Sequence, residues 1–131
     1  MLQKDNSLKF SIVTVVKNDL HGLINTKNSI YQQIFTDFEW IIIDGNSKDG
    51  TLEFIRTLNL QNLNFLSEED NGIYDAMNKG ISICNNNYVL FLNAGDTFNF
   101  TNSLSRVASY LKKDPVDVLF CGVLQFFNPD V

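Results

Sequence analysis

Short apolar runs alternate with helical patterns along this chain, and that alternation limits the possible folds more than any other feature. Phe10–Val16, Phe38–Ile43 and Tyr88–Leu92 are rich in β-branched and aromatic residues. Such runs are typical of strands covered on both faces, as in a parallel sheet. A weaker strand is predicted at Leu63–Leu66. The predicted fold class is therefore α/β, with three layers in the order α/β/α and a mostly parallel, doubly wound sheet.

Helices are predicted between these strands. Asn18 or Asp19 can cap a first helix, and a short helix is predicted at about residues 52–58. A further helix is predicted from about Ser103 to Lys112. We expect it to end there, because the proline that follows disfavours helical backbone at the residue before it. A last strand is predicted at Val116–Phe127, with no helix after it.

The clearest helix lies within residues 73–84, where apolar residues recur on one stripe at helical spacing. Gly80 falls on that stripe and is predicted to allow close packing of the helix on the sheet. Asp75 and Lys79 are four residues apart and can pair. Asparagine is a poor helix former, so its presence at position 78 favours a polar contact made by the side chain. A solvated Asn78 side chain is an equally good interpretation.

Two aspartates follow buried strands. Asp44 ends the second apolar run, and Asp96 closes the segment that follows the run at Tyr88–Leu92. Because parallel strands deliver their carboxyl ends to one edge of a sheet, both acids are expected at the edge where ligands of such sheets bind. A carboxylate there suits a hard divalent cation and the phosphates that it carries. The alternative is that each aspartate only caps a helix or begins a turn.

Composition excludes several classes of function. The 131 residues suit one domain and are 44% hydrophobic, so a packed core is expected. The net charge is −5 and no basic stripe is present, which argues against a nucleic-acid partner. Neither a P-loop nor a GxGxxG motif occurs. The first residues are polar and no apolar run approaches the length of a membrane helix, so we expect a cytoplasmic protein, with peripheral association at the inner face of the membrane left open.

Four segments, in this order, strongly resemble glycosyltransferase family 2. They are residues 10–18, 43–51, 70–80 and 91–96, and together they span most of the chain. The resemblance is greatest to bacterial members that build capsular, colanic-acid-like or O-antigen polysaccharides.

The resemblance implies a GT-A fold, a nucleotide-diphosphate-sugar donor, a divalent metal (Mn²⁺ or Mg²⁺) and inverting transfer to a saccharide or lipid-linked acceptor. It implies a set of donor-binding residues and one metal ligand. Thr14, Val15 and Val16 would line the nucleoside pocket, Asp44, Asp70, Asn78 and Asn93 would contact the nucleotide sugar, and Asp96 would bind the metal.

The chain departs from the family pattern at several positions. Gly45 stands where many members have a second aspartate, so the resemblance does not specify the base. Asn93 and Gly95 replace acids, which leaves one strong metal ligand, and Met77 stands where many members have an arginine.

The resemblance also implies a second half that supplies the acceptor site and the general base of catalysis. The catalytic residue therefore remains unknown, and residues 1–131 are expected to form a single nucleotide-sugar-binding domain that is truncated at its C-terminus. An uncovered last strand would allow homo-oligomer formation. The alternative function is a non-catalytic nucleotide-binding or scaffolding module on a flavodoxin-like sheet.

Overall fold

The computed structural model describes residues 7–122, which form four strands and four helices. The predicted α/β fold class is confirmed, with every helix lying between or after strands in the expected order. The strands are β1 (Phe10–Val16), β2 (Phe38–Asp44), β3 (Leu63–Ser67) and β4 (Tyr88–Phe91), and the helices are α1 (Leu20–Tyr31), α2 (Thr51–Thr57), α3 (Ile73–Ser82) and α4 (Ser103–Lys113).

The described strands form one parallel sheet in the order β3-β2-β1-β4. The chain builds outward from β1 to β2 and β3, then crosses to the other side of β1 to add β4. The order therefore reverses between β1 and β4, and α/β sheets bind ligands at such a switch point, beyond the carboxyl ends of the strands. We call this end of the sheet the carboxyl edge.

The sheet is covered on both faces, as predicted. Alternate side chains of β1 and β2 enter a large core together with residues of α1, α2 and α4. The intervening side chains, among them Val13, Ile41 and Ile43, pack against Ala76 of α3 in a smaller core. This division follows from the two-residue period of a strand.

Gly80 lets α3 approach the sheet closely, as its place on the apolar stripe predicts. A Cβ atom at this position would lie 2.5 Å from Cγ1 of Val13 and 3.4 Å from Cγ1 of Ile43. Both of those side chains are buried, so the space next to Gly80 is fully used.

Two aspartates hold the beginnings of α1 and α2. Asp19 caps α1 by accepting a hydrogen bond from the Gly22 N–H. Asp49 accepts from the N–H and hydroxyl of Thr51 and also from the Leu20 N–H, so one carboxylate serves both helices. Its hydrogen bonds, led by the one from the Thr51 hydroxyl, lower the pKa of Asp49 below its ordinary value.

The C-terminal prediction differs from the structure. Residues 116–122 are not part of a strand, and the rest of the predicted strand at Val116–Phe127 lies outside the described residues. Val116 packs against the large core, but Val118 and Phe120 are exposed, and residues 116–122 pair with no described strand. Within residues 7–122, no helix has the length and apolar character needed to cross a bilayer.

Candidate functional site

The carboxyl edge brings three polar segments together around the end of β1. Val16 is paired in register with Asp44, and its carbonyl oxygen accepts a hydrogen bond from the Gly45 N–H at 2.9 Å. On the other side, the Ala94 N–H donates to the Val15 carbonyl oxygen at 3.0 Å. The turn after β2 is thus fixed to Val16, and the turn after β4 is fixed to the adjacent residue, Val15.

Asp44 is fully buried at the end of β2. Its Oδ2 atom accepts hydrogen bonds from the Ser47 N–H at 3.1 Å and from the Ser67 hydroxyl at 2.7 Å. Its Oδ1 atom is buried and has no hydrogen-bond partner among the described residues. Buried polar atoms are nearly always paired, so an unpaired carboxylate oxygen is a feature that a ligand donor can satisfy.

Asp70 lies against the turn after β2. A Cβ atom on Gly45 would be 2.7 Å from Oδ2 of Asp70 and 3.2 Å from Cδ of Lys17. The other oxygen of Asp70 accepts from the Gly72 N–H at 3.0 Å. The carboxylate of Asp70 therefore occupies space that a side chain at position 45 would need.

The turn after β4 presents Asp96. The Asp96 N–H donates to the Asn93 carbonyl oxygen at 2.9 Å, and Gly95 has the positive φ of 94° that a tight turn of this kind requires. The side-chain oxygen of Asn93 accepts from the Val15 N–H at 3.3 Å. The Asp96 carboxylate is exposed, and no described residue donates to it.

The Asp96 carboxylate fits a divalent cation that takes most of its ligands from water and from substrate phosphates. The described residues contain no cluster of three or more His, Cys, Asp or Glu side chains arranged around a metal position. Mg²⁺ typically uses one or two carboxylates together with water and substrate phosphates. A single uncommitted carboxylate at Asp96 meets that requirement, with further oxygen ligands left to water and diphosphate.

The three β1 residues predicted to line a nucleoside pocket have different surroundings. Thr14 is buried in the core, where its hydroxyl donates to the Leu92 carbonyl oxygen at 2.7 Å and accepts from Nε1 of Trp40 at 2.9 Å. Val16 is also buried, whereas Val15 is partly exposed on the opposite face of the strand. Both hydrogen bonds of the Thr14 hydroxyl are therefore made within the core.

Asn78 lies on α3, where its side chain is exposed and makes no hydrogen bond to any described residue. No hydrogen bond among the described residues joins its side chain to the other predicted site residues. Its neighbour Lys79 is held by Glu68 at 3.0 Å, Asp75 at 3.4 Å and the Glu69 carbonyl oxygen at 2.8 Å. These partners, above all the hydrogen bond to Glu68, raise the pKa of Lys79. The predicted pair of Asp75 and Lys79 is thus part of a network that ties the preceding loop to α3.

Sequence reasoning missed several residues that shape the site. Ser47 and Ser67 supply the donors that fix Asp44, and Asn18, whose backbone has a positive φ of 49°, pairs with the Lys48 N–H. Lys17 is exposed beside Gly45 and has no ion pair among the described residues. The sequence offered one signal for these contacts, namely that Ser47 lies in the polar turn after β2. Serine side chains in turns often form hydrogen bonds with nearby backbone groups.

Comparison with protein families gives a match to the model for Glycosyl transferase family 2 over residues 11–131. Among curated proteins, the chain is 34% identical over 119 residues to a PGL/p-HBAD biosynthesis glycosyltransferase of Mycobacterium tuberculosis, which covers 88% of this chain and 46% of the relative. It is 30% identical over 125 residues to glycosyltransferase AglE of Haloferax volcanii, covering 92% of this chain and 40% of that protein. The chain thus spans less than half the length of these relatives.

Solved structures show the same fold. A mannosyltransferase of Pyrobaculum calidifontis, in complex with GDP-Man and Mn²⁺, superposes with a TM-score of 0.75 at 20% identity and covers 85% of this chain and 34% of that one. S. aureus TarS 1-349 in complex with UDP-GlcNAc gives a TM-score of 0.78 at 24% identity, covering 90% of this chain and 37% of that one. The predicted fold is therefore the one that these glycosyltransferases share.

Proposed function

The chain belongs to glycosyltransferase family 2, and from that premise we propose that it binds the nucleotide-diphosphate-sugar donor of a metal-assisted, inverting sugar transfer. The acceptor is a saccharide or a lipid-linked saccharide, and the product is part of a cell-surface polysaccharide. Donor binding is assigned to the carboxyl edge of the sheet, on both sides of the switch point between β1 and β4.

The observation that carries this proposal is a set of contacts that joins the segments after β2, β3 and β4 at the end of β1. The side chain of Asn93 contacts the backbone of Val15, and the Gly45 N–H contacts the backbone of Val16. Asp70 then lies next to Gly45. These contacts join segments that are far apart in the chain, and all of them lie where parallel α/β sheets bind nucleotides.

Asp44 and Asp70 would recognise the nucleoside. The unpaired Oδ1 of Asp44 needs a hydrogen-bond donor, and the N–H of a nucleobase is one that a ligand can bring. Asp70 supplies a second carboxylate beside Gly45, in a position where acids are able to accept hydrogen bonds from the base or the ribose. The aliphatic part of Lys17 lies beside Gly45, and the exposed Lys17 adds a positive charge to this region, which favours an anionic ligand.

Asn93 and Asp96 would face the diphosphate, and Asn78 would contact the donor from α3. The exposed carboxylate of Asp96 would hold Mn²⁺ or Mg²⁺ together with phosphate oxygens. When bound, such a cation supplies neutralising charge to the diphosphate leaving group. The mannosyltransferase structure with the same fold contains both GDP-Man and Mn²⁺, which supports a divalent cation beside the donor.

An inverting transfer also needs a base that takes the proton of the acceptor hydroxyl. We assign no residue within 7–122 to this role. Because the chain spans less than half of its curated relatives, the base and the acceptor site are proposed to lie in a region that follows the described residues.

Isothermal titration calorimetry of the full chain with UDP and GDP tests donor binding and its dependence on metal. We expect at least one nucleotide to bind more tightly with Mn²⁺ than with chelator, because the cation offsets repulsion between the phosphates and the acids of the site. Asp96→Ala should abolish that difference, since it removes the one carboxylate assigned to the metal.

Asp37→Ala is the matched control, because Asp37 is an exposed aspartate at the opposite end of β2. It should retain the wild-type metal dependence. Equal nucleotide affinity of the wild type with Mn²⁺ and with chelator, or unchanged metal dependence in Asp96→Ala, would overturn the assignment of Asp96.

A further inference from the structure

Thr26 is a fully buried polar residue in the middle of α1. Its hydroxyl oxygen lies 3.0 Å from the Gly22 carbonyl oxygen one turn earlier in the helix. A bond of that kind is the ordinary way in which a threonine satisfies its hydroxyl within a helix, and it requires no further role.

The same oxygen also contacts the turn that carries Asp96. It lies 3.0 Å from the Gly95 nitrogen, 2.8 Å from the Asp96 carbonyl oxygen and 3.3 Å from the Asn93 carbonyl oxygen. A hydroxyl has one proton and two lone pairs. It can therefore accept from the Gly95 N–H and donate to one carbonyl at a time, and the Asp96 carbonyl oxygen is the nearest of those available.

These contacts fix the backbone on both sides of the Asp96 side chain. The Asp96 N–H is held by the Asn93 carbonyl oxygen within the turn, and the Asp96 carbonyl oxygen is held by Thr26 from a different element. With both backbone groups bound, the direction of the bond from Cα to Cβ is set, while the carboxylate itself stays exposed.

Two more polar residues, Ser29 in α1 and Gln33 just after its C-terminal end, hold the loop beyond the turn. Ser29 accepts a hydrogen bond from the Phe98 N–H at 2.6 Å. Gln33 donates to the Phe100 carbonyl oxygen at 2.8 Å and accepts from the Leu104 N–H at 2.9 Å. Positions 26 and 29 share one face of α1, and of these three residues only Thr26 has a hydrogen bond to the turn at residues 93–96.

We infer that Thr26 is a positioning residue for Asp96, which orients the aspartate toward a bound divalent cation through the backbone of the turn. The inference rests on the proposed function, in which Asp96 is the metal ligand. Thr26 would act without contacting the cation or the nucleotide. It lies outside the four family-like segments, and the comparisons do not name it.

The test compares Thr26→Val with Thr26→Ser in the full chain. Valine keeps the branched shape and removes the hydroxyl, whereas serine keeps the hydroxyl. Mn²⁺ binding in the presence of UDP or GDP is measured from the electron paramagnetic resonance signal of free Mn²⁺. Partners that orient a metal ligand typically contribute roughly tenfold to hundredfold in metal affinity, so we expect a loss of that size in Thr26→Val and near-complete recovery in Thr26→Ser.

Ser29→Ala is the matched control, since it removes a hydroxyl that holds the same loop downstream of the turn. It should bind Mn²⁺ as the wild type does. Thr26→Val should also add nothing to the loss in an Asp96→Ala background, because a residue that acts only through Asp96 has no effect once that carboxylate is gone.

The outcomes separate the inference from the proposed function. If Asp96→Ala loses Mn²⁺ binding while folded Thr26→Val retains it, the positioning role is overturned and the metal role stands. If Asp96→Ala binds Mn²⁺ normally, the proposed function of Asp96 falls and the inference falls with it.

Amide hydrogen exchange in the wild-type chain keeps the inference testable even if Thr26→Val fails to fold. The Gly95 N–H should exchange more slowly than that of Thr97, which has no hydrogen-bond acceptor among the described residues. Equally fast exchange at the two positions would overturn the inference.

Discussion

At the scale of single residues, Asp44 and Asp96 are two aspartates at one edge of the sheet with opposite surroundings. Asp44 is fully buried and held by Ser47 and Ser67, whereas Asp96 is exposed and bound only through its backbone. A buried acid with a fixed orientation suits recognition of one donor on a ligand. An exposed acid suits a cation that arrives with its own water and phosphate ligands.

Asp44→Asn tests the recognition role. Asparagine keeps one acceptor oxygen for Ser47 and Ser67 but places an N–H₂ group where the unpaired Oδ1 lies. A hydrogen bond to a charged group contributes about 1.5–3 kcal/mol, so calorimetry should show a loss of roughly tenfold to hundredfold in nucleotide affinity. Thermal unfolding should change less than in Asp44→Ala, which leaves both donors unpaired.

Asp37→Asn, at the other end of β2, serves as the control and should leave the affinity unchanged. Full nucleotide affinity in a folded Asp44→Asn protein would exclude Asp44 from the donor site.

At the scale of elements, the sequence predicted the strands and helices well because their signals are local and strong. β1 was predicted at its observed bounds, and the predicted start of β2 at Phe38 is also the observed one. The strand at Val116–Phe127 was predicted from composition alone, and residues 116–122 do not form it. A strand forms only where a partner strand is available to pair with it, and the local sequence pattern does not predict whether such a partner is present.

Gly80→Ala tests the packing between α3 and the sheet. Alanine is the better helix former by about 1 kcal/mol, but its Cβ would lie 2.5 Å from the buried Val13. Overpacking of a filled core typically costs about 1–3 kcal/mol. We therefore expect a net loss of about 1 kcal/mol in the free energy of unfolding, measured with denaturant.

Ser82→Ala, at an exposed position of the same helix, reports helix propensity without a change in core packing and should stay within about 0.5 kcal/mol of the wild type. A Gly80→Ala protein more stable than the wild type would show that α3 can move away from the sheet at little cost.

At the scale of the whole molecule, the sequence predicted where the site lies but not how it is held together. The topology alone brings the ends of β1, β2 and β4 to one edge, so the positions of Asp44 and Asp96 were predictable. The role of Thr26 was not, because a threonine inside an amphipathic helix has no signal that distinguishes a local bond from a contact nearly seventy residues away. Such contacts depend on loop conformation, which short-range patterns do not encode.

The two faces of the sheet are covered unequally, which has a consequence for self-association. Helices α1, α2 and α4 pack on one face, whereas α3 is the helix of the described residues that packs on the other, against β1 and β2. On β4, the outermost strand on its side of the sheet within residues 7–122, Val89 and Phe91 remain 38% and 36% exposed. An exposed strand at a sheet border with apolar side chains favours pairing between molecules.

Replacing Val89 and Phe91 together by threonine tests this consequence. Threonine retains β propensity while making the exposed surface polar, so the fold should persist and association should weaken. Sedimentation velocity across a concentration series should show a wild-type chain whose average sedimentation coefficient rises with concentration, and a variant whose coefficient does not. Val118→Thr, on an exposed residue outside the sheet, is the control and should associate as the wild type does. A wild type that stays monomeric throughout the series would show that this surface is shielded in the full chain.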